Sequence, residues 1–472
     1  MPLPGRQSAR RRAAMQAMQF SNCIGLQLQG AVTAGADLDR LLLDWRSSHN
    51  VDADMPTNCP VVRERRPVSP VPPSVDSVAV DRFWDDTTVC CHDPDTCVGI
   101  GALPNPSVEI SRQQAISRMR SSLSKWVKTN GNGDANAVPD NEVFDKWIFT
   151  RQALCNQGDM RDPMIPCGHN ALLDETLIGD LSYFMDPEPA SHIARRLGQL
   201  GRQSVNALTR VADQPSGQVA VKCNPDGHVH VKCGRTVTKV SSSHYVKLKS
   251  MYRGKPSEFN TRLFALLMRY VALSDTGMQA ACNEDVFRVL LADFDVRMEC
   301  FASPMNCHFT RQYCSAFPDV DTVFGSRGSF FAFRPVSGSF HANPPFIDDI
   351  IERMARHMDE LLAGTSQPLS FIVVVPHRAK TSAWKVLSSS VHNRYHLLLK
   401  QKAHGFCEGA QHRRSSRFKV SSCDSSIIFL QNDPGAHKYK VTDERIERLR
   451  LAFASRQASE REQQYRKRKR GL

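Results

Sequence analysis

The tetrapeptide Asn343-Pro344-Pro345-Phe346 has the residue types that can position an aromatic amine for reaction. The asparagine side-chain oxygen can accept one amine proton and the Pro344 carbonyl the other, which favours positive charge on that nitrogen in the transition state. Proline fixes φ and lacks an N–H, so this carbonyl is held rigidly. Phe346 offers a face for base stacking, which contributes about 1–3 kcal/mol in other single-strand binders. The pattern favours methyl transfer from a sulfonium to the N6 amine of adenine, and the alternative interpretation is a turn before a helix.

The sequence around the tetrapeptide predicts a strand before it and a helix after it. Residues 337–341 read as a strand, and apolar residues then recur at helical spacing from Ile347 to Leu362, ending before Gly364. In open α/β sheets, ligands bind beyond the carboxyl ends of strands. The tetrapeptide is therefore predicted to lie at a ligand site.

The cofactor loop has a weaker signal, because no Gly-x-Gly-x-Gly follows any predicted strand. The candidate is the segment Glu299–Asn306, at the end of the predicted strand 296–302, where small residues would let a cofactor approach the backbone. The alternative interpretation is a structural strand end. The predicted cofactor-binding residues here are Ala302, Ser303, Pro304 and Asn306.

Composition limits the class of partner and of site. The net charge is +13 and the pI is about 9.1, which favours phosphate-bearing partners. Fifteen scattered cysteines without a signal peptide indicate a reduced intracellular protein. The densest group, Cys90, Cys91, His92 and Cys97, lacks the second ligand pair that zinc needs, so no metal is expected. No apolar run approaches the ~20 residues of a membrane helix, so no membrane partner is expected either.

The chain divides into four predicted parts. Residues 1–105 are irregular, basic and proline-rich, with one possible helix at 34–45, and residues 456–472 form a basic tail. Residues 106–288 are mainly helical, with a short antiparallel hairpin region around the Asn224–Gly227 turn. Residues 289–455 alternate strands with helices, which predicts an α/β sheet covered on both faces. The predicted helices are 108–126, 141–151, 191–208, 258–274 and 284–292, and further strands are 219–223, 228–233, 236–240, 369–375, 395–399 and 425–430.

Six ordered motifs resemble one family, the cap-specific mRNA adenosine N6-methyltransferases, first named for interaction with the phosphorylated C-terminal domain of RNA polymerase II. The likeness is dense over roughly residues 284–453 and traceable from about 107 to 283. The motifs are Cys300–Cys307, Arg311–Asp319, Phe324–Gly328, Ser337–Phe346, Pro368–Ile372 and Phe429–Gly435.

The resemblance implies a class I (Rossmann-like) methyltransferase domain packed with a mainly helical domain, S-adenosyl-L-methionine as cofactor, and the cap-adjacent adenosine of mRNA as substrate. It implies that Asn343, Pro344, Pro345 and Phe346 bind both the methyl donor and the target base. The substrate contacts that it implies are Asp348, the loop Arg378, Ala379, Lys380, Thr381 and Ser382, and the helical residues Arg120 and Arg151, with Arg118 as an alternative to Arg120.

The chain departs from the family at three points. Asp348 stands where the family has Glu, and the loop 377–382 lacks the family's Trp, so Arg378 is expected to stack instead. No amino-terminal WW module is predicted, because Trp45 and Trp84 are too far apart, which weakens the expectation of polymerase-tail binding. The alternatives are an adenine-N6 methyltransferase for other RNA or DNA and an inactive cap- or RNA-binding homologue. The run Arg466–Arg470 suggests nuclear import.

Overall fold

The computed structural model describes residues 101–130, 140–154, 161–167, 171–273, 280–309, 312–409 and 418–454. The predicted helix 34–45, the Cys90–Cys97 group and the basic run Arg466–Arg470 lie outside the described residues.

The amino-terminal half of the described chain is mainly helical, as its sequence pattern predicts. Helix α1 begins at a proline, which needs no N–H partner there, and buries Ala115, Met119, Leu123 and other residues of one face. The helices are α1 (Pro106–Asn130), α2 (Asp140–Leu154), α3 (Ala171–Leu181), α4 (Pro187–Ala212), α5 (Ser242–Met251) and α6 (Phe259–Val271).

A three-stranded antiparallel sheet interrupts these helices at the predicted place. It consists of β1 (Val219–Cys223), β2 (His228–Cys233) and β3 (Thr236–Ser241), in that order. Gly227 has φ of 78°, a left-handed conformation that suits glycine at the predicted turn. The alternating pattern therefore located these strands correctly.

The carboxy-terminal half is built on a six-stranded mixed sheet in the order β5-β4-β6-β7-β11-β8. Strands β5, β4, β6 and β7 are parallel, and β11 runs antiparallel to both of its neighbours. A short pair, β9 (Gly405–Cys407) with β10 (Phe418–Val420), lies apart. The sheet strands are β4 (Val296–Ala302), β5 (Tyr313–Ser315), β6 (Gly338–Ala342), β7 (Leu369–Pro376), β8 (Asn393–Leu399) and β11 (Ser425–Gln431).

Helices cover both faces of this sheet, which confirms the predicted α/β architecture. On β7, Phe371 and Val373 pack into one core while Ile372 and Val374 pack into the other, as the alternation of a strand requires. The helices are α7 (Glu284–Phe294), α8 (Pro318–Asp321), α9 (Asp348–Ala363), α10 (Ser382–Ser389), α11 (Asp433–Lys438) and α12, which includes residues 443–454. Helix α7 spans the predicted boundary at 288 and packs on the sheet.

The helical half and the sheet share a continuous hydrophobic core and a buried ion network. The core that contains α1 and α6 also contains Tyr313 and Ile350 of the sheet half. Arg269 is fully buried on α6, and its Nη2 lies 3.0 Å from Glu109 Oε1 and 2.8 Å from Asp319 Oδ2. One guanidinium thus joins α1, α6 and α8.

Within the described part of the chain, no helix is both long enough and apolar enough to cross a membrane.

Replacing Arg269 with alanine should lower the free energy of unfolding by about 3 kcal/mol, because it removes a buried cation from Asp319 and leaves buried Glu109 with Arg112 as its only cation among the described residues. Urea unfolding measures the loss. The matched control is Arg450→Ala, which breaks the exposed pair with Glu447 and should cost less than about 1 kcal/mol. Equal losses in the two variants would contradict a structural role for the network.

Candidate active site

A cleft lies where the strand order reverses. Strand β5 follows β4 in the chain but lies on one side of it, while β6 lies on the other side, and this switch point is where open α/β sheets bind ligands. The cleft is lined mainly by apolar side chains with a few polar ones, among them Glu299, Asn306 and Asn343, which is the composition of a small-molecule site. Both sequence-predicted loops reach it, since Ala302 and Asn343 end the two adjacent strands.

Asn343 is held by one hydrogen bond that fixes the orientation of its amide. Its Nδ2 donates to the carbonyl oxygen of Ala280 at 2.7 Å. A carbonyl only accepts, so the amide nitrogen must face it and Oδ1 must face the other way. Oδ1 is buried and has no hydrogen-bond partner among the described residues, and Asn343 lines the cleft. A buried acceptor left without a donor is costly, so this oxygen can accept a hydrogen bond from a bound ligand.

The other residues of the tetrapeptide form a compact turn into α9. The Ile347 N–H donates to the Pro345 carbonyl at 2.7 Å, and no hydrogen bond within the described residues uses the Pro344 carbonyl. Pro345 lines the cleft, whereas Pro344 is buried behind it. The half-buried ring of Phe346 lies 6.2 Å from that of Phe406 at an interplanar angle of 72°.

The predicted cofactor loop is a closed turn after β4. Asn306 Oδ1 accepts from the Ser303 N–H at 2.7 Å and from Ser303 Oγ at 2.8 Å, and the Cys307 N–H donates to the Ser303 carbonyl at 2.9 Å. Ala302, Ser303 and Asn306 line the cleft, while Pro304 is buried and does not. Small side chains held this tightly leave the backbone open to close approach.

Glu299 begins the predicted cofactor segment but the sequence assigns it no role, although this buried carboxylate lines the cleft. Its Oε1 accepts the N–H groups of His308 at 2.6 Å and Phe309 at 3.3 Å. Burial raises the pKa of Glu299 to about 7, and those two donors oppose the shift. The available signal was an acidic residue between the apolar positions Met298 and Cys300 of a buried strand.

The helical half supplies one wall of the cleft, which sequence reasoning also missed. Phe149, Gln152 and Ala153 come from α2, and Tyr270 comes from α6. The Tyr270 hydroxyl donates to Asp321 Oδ2 at 2.7 Å. These positions lie far from both loops in the chain, and their residue types carry no ligand signal.

The predicted substrate loop lies against the start of α9. Arg378 Nη1 lies 3.4 Å from Asp348 Oδ1, and Ser382 Oγ donates to Glu352 Oε2 at 2.6 Å. Thr381 caps α10, since its Oγ1 accepts the Trp384 N–H at 3.2 Å. Ala379 and Lys380 are exposed at the tip. Asp348 and Arg378, predicted separately, are therefore direct neighbours.

The three helical arginines occupy different environments. Arg120 is half-buried, its Nη1 donates to the Ala272 carbonyl at 3.0 Å, and its Nη2 pairs with Asp145 at 2.5 Å. Arg151 is 2% exposed, and its Nη1 donates to the Asp162 carbonyl at 3.0 Å. Arg118 is exposed on the same helix as Arg120. Their assignment to substrate binding stays a prediction.

Among the described residues, no group of three or more His, Cys, Asp and Glu side chains is arranged to hold a metal ion.

A mixed α/β sheet with helices on both faces, and a cleft at the carboxyl ends of its parallel strands, fits a methyltransferase.

Comparison with known proteins finds a matching family model. The family model described as "Phosphorylated CTD interacting factor 1 WW domain" matches residues 244–409, which include both predicted loops. This match confirms the family resemblance that the six motifs indicated.

Two curated relatives carry the same printed name, mRNA (2'-O-methyladenosine-N(6)-)-methyltransferase. The chain is 39% identical over 233 residues to the one from Homo sapiens and 39% identical over 233 residues to the one from Mus musculus. Each alignment covers 46% of this chain and 33% of the relative. The matched part of the chain thus spans about a third of the length of these relatives.

The raised pKa of Glu299 predicts a pH-dependent stability. The folded-state value of about 7 lies above the ordinary value of 4.5, so the stability from this carboxyl is fully present below pH 4.5 and is lost as pH rises through 7. Glu299→Gln should not show this loss. Between about pH 5 and pH 8, the free energy of unfolding of the variant should therefore rise by on the order of 2 kcal/mol relative to that of wild type. Urea unfolding at the two pH values measures the difference. Glu447→Gln, at an exposed carboxyl, is the matched control, and parallel pH profiles for wild type and Glu299→Gln would contradict the prediction.

Proposed function

We propose that the chain is an S-adenosylmethionine-dependent class I methyltransferase that modifies N6 of the cap-adjacent adenosine of capped mRNA. The strand order supports the class, because the last strand of the sheet, β11, is inserted between β7 and β8 and runs antiparallel to the other five strands, which all point the same way. The printed names of both relatives support the reaction. We place the start of the methyltransferase unit before α7, since that helix packs on the sheet.

The observation that carries this proposal is the orientation of Asn343. Its Oδ1 is a buried acceptor without a partner in the described structure, on a residue that lines the cleft. The exocyclic amine of adenine is a donor that would complete this hydrogen bond. Pro344 and Phe346 stand on either side of the cleft-lining Pro345 in the chain, and we propose that the Pro344 carbonyl takes the second amine proton and that the Phe346 ring stacks on the base. Two fixed acceptors stabilise the charge that develops on the nitrogen without reorganising during the reaction.

The residues present suit the methyl donor. Ala302, Ser303 and Asn306, which line the cleft at and just after the end of β4, would hold it, and the hydrogen bonds between Ser303 and Asn306 fix the shape of this turn. When bound, S-adenosylmethionine supplies a methyl group activated by its positive sulfur. The chain's own residues orient the amine and exclude water, and no general base is needed because the methylated amine can release its proton to solvent.

The substrate class follows from charge and from the loop beside the tetrapeptide. The net charge of +13 favours a nucleic acid over a protein substrate. Arg378, 47% exposed on its side chain, lies beside Asp348 at the start of α9 and can contact RNA at the mouth of the site. A duplex DNA substrate would require base flipping at a cost of a few kcal/mol. Capped RNA is therefore favoured over the alternatives of other RNA, DNA and an inactive binding homologue.

We infer two further properties from the family name and the tail. The name suggests binding to the phosphorylated C-terminal domain of RNA polymerase II. The matched range contains a single tryptophan, Trp384, so a two-tryptophan module is not the basis for this inference. The run Arg466–Arg470, outside the described residues, suggests nuclear import, which suits a cap-modifying enzyme.

Asn343→Ala should reduce methyl transfer at least about 100-fold, because it removes the acceptor that stabilises charge on the amine. Mass spectrometry of nuclease-digested capped RNA measures the product. Asn393→Ala is the matched control, since this asparagine also donates Nδ2 to a backbone carbonyl but does not line the cleft. It should keep the wild-type rate, and circular dichroism should show both variants folded. Wild-type turnover by Asn343→Ala would remove the catalytic assignment.

The proposed substrate predicts an order of methylation rates among different nucleic acids. With labelled donor, wild-type protein should methylate capped RNA that begins with A faster than the same RNA without a cap, and duplex DNA least. Capped RNA that begins with G is the matched control and should accept no label at its first nucleoside. Equal rates on capped and uncapped RNA would assign the chain to a general adenine-N6 methyltransferase. Donor binding by calorimetry without transfer to any substrate would assign it to the inactive class.

A further inference from the structure

Helices α1 and α4 together expose seven cations, which we call the α1/α4 basic face. Neither helix carries an acidic residue beyond Glu109 near the start of α1 and Glu188 in the first turn of α4. The cations recur along each helix, so that Arg195 and Arg202 lie about 10 Å apart and Arg210 about 12 Å further on. The exposed cations are Arg118, Lys125 and Lys128 on α1 and Arg195, Arg196, Arg202 and Arg210 on α4.

The two rows of positive charge are side by side. A Cβ on Gly201 would lie 3.5 Å from Met119 Cε, and the guanidinium of Arg196 lies 4.4 Å from the centre of the Trp126 ring. The helices therefore run antiparallel, with Arg118 near the level of Arg202. Like charges at one level repel one another, so this arrangement does not stabilise the fold.

Three surface arginines elsewhere in the protein serve as a comparison, because each pairs with a carboxylate. Arg288 pairs with Asp285, Arg448 with Asp293 at 2.8 Å and Glu444 at 2.6 Å, and Arg450 with Glu447 at 2.5 Å. By contrast, none of the seven cations of the α1/α4 basic face forms an ion pair with another described residue. Single exposed cations without an acidic partner in the described part of the chain also occur elsewhere, at Arg235 for example, but α1 and α4 gather seven of them on two adjacent helices, which suits an external polyanion.

The face also lies beside the cleft. A groove on α1 is lined by Arg120, Ser121, Ser124, Lys125, Lys128 and Thr129. Arg120 at one end of this groove bonds to the Ala272 carbonyl, two residues after Tyr270 of the cleft wall. Hydroxyl and cationic side chains together are typical contacts for phosphate and sugar oxygens.

We propose that the α1/α4 basic face binds the phosphate backbone of the RNA outside the modified nucleotide. This inference rests on the proposed function for the identity of the polyanion. Within the described residues, the large hydrophobic side chains that are strongly exposed lie outside α1 and α4, so the face offers no apolar anchor for a membrane or a folded protein. The contacts are to the backbone and are therefore independent of RNA sequence.

The test is a triple variant, Arg195→Gln, Arg202→Gln and Arg210→Gln, against a matched triple control, Arg288→Gln, Arg448→Gln and Arg450→Gln. Both lose three exposed arginines, but only the first set belongs to the α1/α4 basic face. Binding of a fluorescein-labelled capped RNA of about 30 nucleotides is measured by polarisation. The α4 variant should bind the RNA more weakly than wild type and than the control. Because the variant lacks three phosphate contacts, the ratio of its Kd to that of wild type should fall about 20-fold between about 50 mM and 200 mM salt.

Two results would overturn the proposal. One is an α4 variant that keeps wild-type affinity and salt dependence, or a control that loses as much as it does. The other is an α4 variant that still binds the labelled RNA but has lost the binding of a phosphoserine peptide. This result would assign the face to a protein partner. Methyl transfer to a capped trinucleotide should stay at the wild-type rate in the α4 variant. If wild type binds the long RNA but methylates no capped RNA, the proposed function is wrong. The comparison of RNA binding between the α4 variant and the control still tests the role of the α1/α4 basic face.

Discussion

The hydrogen bond from Asn343 to the Ala280 carbonyl is the constraint on which the candidate site depends, because it fixes the orientation of the amide and leaves Oδ1 without a partner among the described residues. The position of Ala280 is fixed in turn by Ala281, which exchanges two backbone hydrogen bonds with Cys407 at 2.9 and 2.7 Å. The next residue back in that short strand is Phe406, whose ring contacts Phe346. One bridge therefore supports both ends of the tetrapeptide.

The sheet brings the tetrapeptide and the predicted cofactor loop to the same edge. Strands β4 and β6 are parallel neighbours, so the ends at Ala302 and Asn343 meet without either loop being long. Their other neighbours, β5 and β7, are parallel as well, and helices bury both faces. A rigid sheet at this position lets an amide oxygen stay buried and unpaired, a cost that the core on either side offsets.

Much of the fold was predictable from local pattern, and the candidate site only in part. Strand β4 and helix α9 followed from apolar spacing that the final packing preserves. The three-residue strand β5 was missed, because so short an element has no periodicity to detect. The cleft wall from α2 and α6 was missed for a different reason. Which helix faces a cleft depends on tertiary packing, and the apolar residues of α2 look the same whether they face a core or a ligand.

The origin of that wall has a consequence for the smallest piece of this protein that can form the candidate site. The sheet unit carries the tetrapeptide and the cofactor turn, yet Gln152, Tyr270 and the carbonyl that orients Asn343 all precede α7. A fragment cut at the start of the sheet would retain every motif residue and still have a cleft open on one side, with its asparagine amide free to rotate. A closed cleft with an oriented asparagine therefore requires the two halves folded together, and neither half forms it alone.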